Sequence, residues 1–119
     1  MSYQKYKDLT VYKKAYQLGL YVHVMCKSLP SDEKWALVDQ MRRASRSICA
    51  NIAEGLGKDG TKIEERRFLS IAMGSAEEML LWLDFCRDFG YVTADKVAKT
   101  QEAYTEVAKM LHKMMSLRR

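Results

Sequence analysis

The stretch VDQMRRASRSICANIAEGLGKDG, Val38 to Gly60, decides how the chain is read. Val38, Met41, Ser45, Ile48, Ile52 and Leu56 recur at steps of three and four, which puts small and apolar side chains on one face of an α-helix. Gly55, Gly57 and Gly60 then crowd into six residues and break the pattern, because glycine weakens a helix and permits turns. Directly after them Thr61, with Glu64 three places on, has the form of a capping box that starts another helix.

The same period extends on both sides. Upstream, Tyr12, Ala15, Gly19, Val22, Cys26 and Leu29 mark a stripe that stops at Pro30, with Ser31 or Asp32 available to cap the next helix. Downstream, two adjacent stripes, Phe68-Ala72-Ser75-Met79-Trp82-Cys86-Phe89 and Leu69-Ala76-Leu83, predict the most enclosed helix of the set. Gly90 fits the position just beyond its end, and Thr93 with Asp95 opens a last helix carrying Val97, Tyr104, Val107, Leu111 and Met114. Period-two alternation persists nowhere. The reading is all-α: a single domain over residues 1–119 with helices at about 9–29, 32–56, 62–89 and 94–116. Short connections make consecutive helices antiparallel, an up-down-up-down four-helix bundle.

Composition agrees. With 119 residues and 48% hydrophobic content there is material for one core, too much for a disordered chain. No apolar run is long enough for a membrane span, and the N-terminus lacks the apolar core of a signal peptide. Cys26, Cys49 and Cys86 are odd in number and lack metal-type spacing. They read as reduced thiols of a cytoplasmic protein.

Up-down topology converts the linear charge pattern into a spatial one. The start of helix 1, the turn between helices 2 and 3 and the end of helix 4 share one pole. Residues 1–16, 52–67 and 106–119 there carry twelve basic and six acidic side chains; residues 24–40 and 82–105, at the other pole, carry five and seven. Cations at helix C-termini account for Lys109, Lys113, Arg118 and Arg119 as ordinary dipole partners. Lys62, Arg66 and Arg67 stand in the first turns of helix 3, where that explanation fails. The basic pole is therefore either solvated surface charge or a polyanion-binding end.

Catalytic and metal signatures are missing. A di-iron bundle needs Glu-x-x-His on two helices, but Leu20 and Lys109 stand three places before His23 and His112. His23 and Cys26 are spaced as possible metal ligands, although a polar residue on a packed face is the simpler account of His23. Gly55-x-Gly57-x-x-Gly60 lacks the downstream Gly-Lys-Ser/Thr and the strand that a phosphate loop requires. Tyrosines and tryptophans at helical spacing are expected in the core. The expectation is a non-enzyme with neither cofactor nor metal.

One polar stripe remains. Gln40, Ser47, Asn51 and Glu54 run beside the apolar face of helix 2, and Gly74, Ser75 and Glu78 repeat the spacing on helix 3. Gly74 in mid-helix costs about 1 kcal/mol against alanine, which predicts a close approach by another helix. The stripe is expected to form a hydrogen-bond network within or between subunits, with a ligand cleft as the alternative.

Gln40-Met-Arg-Arg-Ala-Ser-Arg-Ser-Ile-Cys-Ala-Asn-Ile-Ala-Glu-Gly55 resembles the signature of four-helix-bundle proteins encoded in intervening sequences of bacterial large-subunit rRNA genes. The likeness continues in Arg67-Phe-Leu-Ser-Ile-Ala-Met-Gly-Ser-Ala-Glu-Glu78, in Tyr6-Lys-Asp-Leu-Thr-Val-Tyr12-Lys-Lys-Ala15 and in Phe89-Gly-Tyr-Val92. Tyr12 stands where the family often has tryptophan. The resemblance implies a homopentameric ring and a relationship to the accessory variability determinants of diversity-generating retroelements, basic pentamers that engage a reverse transcriptase and nucleic acid. It supplies no catalytic residue.

Residues and resemblance together lead to one expectation: an oligomeric accessory protein that binds RNA or DNA largely independently of sequence. The candidate contacts are Arg42, Arg43, Arg46, Lys58, Lys62, Arg66, Arg67, Lys109, Lys113, Arg118 and Arg119. The alternative is a protein–protein scaffold or accessory factor for a partner enzyme such as a reverse transcriptase.

Overall fold

A computed structural model describes residues 5–57 and 59–119. Among these residues there are four α-helices and no strand: α1 (Thr10–Cys26), α2 (Leu37–Leu56), α3 (Lys62–Asp88) and α4 (Ala94–Ser116). Short 3-10 turns at Lys5–Asp8 and Ser31–Glu33 precede α1 and α2. Each helix packs on its neighbours in the order α1, α2, α3, α4 and back to α1, while α1 with α3 and α2 with α4 stay apart at opposite corners. The result is an elongated four-helix bundle of 44 × 21 × 20 Å.

The helix ends follow from local chemistry. Thr61 and Thr93 each accept a hydrogen bond on their side-chain oxygen from the backbone N–H three residues on, Glu64 at 3.1 Å and Lys96 at 3.3 Å. At the far end of α3, Gly90 takes φ +77°. The N–H of Tyr91 bonds the carbonyl of Cys86 at 2.9 Å and that of Gly90 bonds Arg87 at 3.0 Å, a Schellman closure that needs the left-handed residue.

The second helix starts later than the expected cap at Ser31 or Asp32 would place it. Those two residues open only the 3-10 turn, and regular helix begins at Leu37. Glu33 takes the role expected of them: its Oε1 accepts from the Leu37 N–H at 3.4 Å, and its Oε2 accepts from the Tyr91 hydroxyl at 2.8 Å. That contact pins the α1–α2 connection to the α3–α4 connection and pushes the Tyr91 phenol up to about 12.

The core runs the length of the bundle through Val22, Met41, Ile48, Ile52, Leu69, Met79, Leu83, Val97, Tyr104 and Leu111, all fully buried. One expectation about enclosure fails. The inner face of α3 is sealed, but Ile63, Ile71, Leu81 and Phe85 are exposed, so this helix is not the most enclosed one. The reason is topological, since α3 never meets α1 and its outer side has no partner within the chain. Among the aromatics of the helical stripes, Tyr104 joins the core fully and Tyr12 and Trp82 in part, whereas Trp35, Tyr16 and Tyr21, outside those stripes, face out.

Glycine placement is also reassigned. A Cβ on Gly74 would meet nothing within 4 Å, so no helix of the same chain approaches it. The close approach occurs at Gly55 instead, where a Cβ would lie 2.6 Å from Phe68 Cβ.

Candidate nucleic-acid interface

The basic pole is assembled by three elements: the start of α1, the start of α3 and the end of α4. Two ion pairs tie it together, Lys14 to Glu106 across α1 and α4, and Arg118 to Glu65 at 3.0 Å across α4 and α3. Lys14 holds the Glu106 carboxyl below the usual carboxylate range. Arg118 also donates from Nη1 to the Met114 carbonyl at 2.8 Å, so it closes the last turn of α4. A guanidinium committed to two partners and largely covered does not reach outward for a phosphate, which removes Arg118 from the candidate contacts.

The remaining cations of the pole divide clearly. Lys62, Arg66, Lys109, Lys113 and Arg119 are exposed and form no ion pair with any described residue. Arg67 is exposed as well, with its guanidinium 5.1 Å from the centre of the Phe68 ring. Lys58 lies outside the described residues. Lys109 and Lys113 line a shallow groove between α3 and α4 with Met73, Glu77 and His112. Arg66 sits two turns before Met73 on the same side of α3, so it continues that groove towards the pole. Away from the pole the groove runs past Glu77 to Leu80 and Thr105.

The three arginines of α2 lie away from the pole and do not act as a unit. Arg43 is exposed and pairs with Asp39 one turn earlier at 2.9 Å. Arg42 and Arg46 instead face α1, where their charges act on His23 and Cys26. His23 is held below its ordinary value by partial desolvation first and then by Arg42, Lys27 and Arg46.

Three residues of the polar stripe join across α2 and α3. Asn51 donates from Nδ2 to the Ser47 carbonyl at 2.8 Å and to Ser47 Oγ at 3.0 Å, and Ser75 Oγ lies 2.9 Å from Ser47 Oγ. This small network stitches α2 to α3. Glu78 accepts from Trp82 Nε1 at 3.2 Å on its own helix, while Gln40, Glu54 and Gly74 are exposed. Two orphaned polar atoms carried no sequence signal, Arg42 Nε and the Tyr104 hydroxyl, both buried without a hydrogen-bond partner among the described residues. No periodicity marks such a pair, because orphaning depends on which atoms neighbouring helices bring.

The thiols give no sign of activation. Burial pushes Cys49 and Cys86 up to about 11, and Cys26 is raised too. Among the described residues no three of His, Cys, Asp and Glu gather as metal ligands. No described helix is long and apolar enough to cross a membrane.

Residues 7–113 match the family model described as 23S rRNA-intervening sequence protein. The chain belongs to that family. The 23S rRNA-intervening sequence fold is also similar to a crystal structure described as a protein with unknown function from the S23 ribosomal protein family of Bacteroides thetaiotaomicron. That similarity has a TM-score of 0.81 at 24% identity, over 89% of this chain and 95% of the other. It establishes the shared fold. No curated protein matches the chain.

Proposed function

We propose that this protein is a non-enzymatic, cytoplasmic, oligomeric accessory protein that binds RNA or DNA through its basic pole, largely independently of sequence. The observation that carries the reading is the set of exposed cations Lys62, Arg66, Lys109, Lys113 and Arg119 on one end of the bundle, none of them in an ion pair with a described residue. Exposed lysines and arginines outside close ion pairs can replace the counterions of a phosphate backbone.

Self-assembly multiplies a weak patch, and the proposed state is a homopentameric ring, the number the family resemblance implies. Support comes from two outward stripes at opposite corners. Lys13, Gln17, Leu20, Val24 and Lys27 on α1 step by four and three, and Gly74, Glu78, Leu81, Phe85 and Asp88 on α3 repeat those steps. The two helices run in the same direction, with exposed apolar residues in the middle of each stripe. Copies set side by side bring Leu20 and Val24 towards Leu81 and Phe85, and Lys27 towards Asp88, of the next copy. A head-to-tail contact of this kind propagates and closes into a ring when the rotation permits. All basic poles then share one rim.

The experiment is a gel-shift or anisotropy titration with a structured RNA and a duplex DNA across a salt series. Wild-type protein binds both and weakens steeply with salt; Lys62→Glu with Arg66→Glu lowers affinity and reduces the log–log salt slope by about 1.4 to 1.8. Absence of salt-sensitive binding at low ionic strength overturns the proposal. Trp35, 82% exposed at the opposite pole beneath Lys34, favours a second reading, in which the assembly presents a docking face to a partner enzyme such as a reverse transcriptase. Unchanged nucleic-acid binding after charge reversal at the basic pole would favour it.

A further inference from the structure

The seam between α1 and α2 carries a cationic cluster that the basic pole does not include. His23 stands in the last turn of α1 and Lys27 one turn on, at its C-cap, while Arg42 and Arg46 stand a turn apart on α2, near enough for their charges to act on His23 and Cys26. α1 has no acidic residue at all. Of the two carboxylates of α2, Asp39 stands one turn before Arg42 but is ion-paired to Arg43 at 2.9 Å, and Glu54 is two turns beyond Arg46. The charged groups facing His23 are Arg42, Lys27 and Arg46, all positive. Arg42 is partly covered, and its Nε has no acceptor among the described residues. A half-buried guanidinium beside other cations, with no ion-pair partner among the described residues and an orphaned donor, is a costly arrangement for the protein alone.

We propose that this seam is a binding site for a phosphate-class oxyanion, held by Arg42 and Arg46 with His23 as a third donor once protonated. A tetrahedral dianion has the acceptor sites to satisfy two guanidinium groups and an imidazolium together, and its charge offsets the mutual repulsion of the cluster. Binding favours the imidazolium form of His23, so the site takes up a proton with the anion. The anion comes either as a free phosphate or phosphomonoester, or as a backbone phosphate of bound nucleic acid. The site is separate from the pole and does not depend on the function assigned there.

The chain has two histidines, and His112, exposed on α4, serves as an internal reference. The test follows both imidazole proton signals by NMR through a pH titration in chloride, then with inorganic phosphate, then with a short single-stranded DNA. The protein is compared with Arg42→Gln and with Lys62→Glu/Arg66→Glu. The expected result is that phosphate moves the His23 titration to higher pH while leaving His112 in place. Arg42→Gln weakens phosphate binding about tenfold or more, the cost of a charge-assisted hydrogen bond. The pole variant binds inorganic phosphate unchanged, so failure of the pole reading leaves this one standing. An oligonucleotide that reproduces the shift at lower concentration than phosphate identifies the backbone as the source. A His23 titration that ignores both ligands overturns the site. So does an Arg42→Gln variant that binds phosphate normally but loses oligomer, which would assign the cluster to carboxylates of a second copy.

Discussion

Gly55→Ala and Gly74→Ala make the same chemical change in two helices and should move stability in opposite directions. At Gly55 the added methyl group would lie 2.6 Å from Phe68 Cβ, well inside van der Waals contact. A Cβ cannot rotate away, so α2 and α3 must part locally by about an ångström, and overpacking of this kind costs about 1–3 kcal/mol. The gain in helix propensity offsets little, since Gly55 stands one residue from the end of α2. The net expectation is a loss of about 2 kcal/mol. With an unfolding entropy of about 2.1 cal/mol/K per residue, that is a fall of roughly 8 °C in Tm. Gly74 lies mid-helix with nothing within 4 Å of where the methyl group would sit, so alanine there gains about 1 kcal/mol, a rise of roughly 4 °C. Thermal melts by circular dichroism at several protein concentrations, paired with light scattering, separate subunit stability from assembly. A raised Tm for Gly55→Ala would refute the packing account. A Gly74→Ala variant that stabilises dilute subunit yet weakens the oligomer would place the outward face of α3 in a contact between copies; a variant neutral in both would remove α3 from the proposed ring.

Two further outcomes are expected. Tyr104→Phe should stabilise the fold by about 1 kcal/mol in urea unfolding, because the buried hydroxyl has no partner among the described residues and its desolvation is uncompensated; a loss of more than about 1 kcal/mol would mean that the hydroxyl is satisfied by a bound water. Glu106 is held below its ordinary value of 4.5 by Lys14, so the unfolded chain takes up the proton first as pH falls. The pair's contribution is complete above about pH 4.5 and fades below it, and Glu106→Gln should flatten that part of the acid limb in pH-dependent melts. An acid limb identical in the variant would show that the pair adds nothing to folding.

Much of the bundle was legible because helical period and helix caps are local. Thr61 and Thr93 declare their helices through bonds that span three residues, and Gly90 is required by a closure within one turn. The start of α2 was not legible, because its N-cap position is Ala36 and the carboxylate that reaches its first N–H, Glu33, stands in the preceding turn, where it also accepts a hydrogen bond from Tyr91 in another connection. The basic pole could be counted along the chain once topology was inferred. Arg118 could not be told from Arg119 that way, since what distinguishes them is Glu65, far off in sequence and adjacent in space.

Residue order by itself determined that this chain forms four amphipathic helices, in which order they pack, and that one end of the bundle is positive. Only the tertiary structure decided which of those charges are neutralised, that Gly55 and not Gly74 meets a neighbouring helix, and that an apolar stripe of α3 remains uncovered. The physical reason is the range of the forces that carry each property. Backbone hydrogen bonding and hydrophobic period act over a turn or two, whereas a charge, a methyl group or an exposed ring takes its meaning from whichever helix is brought beside it.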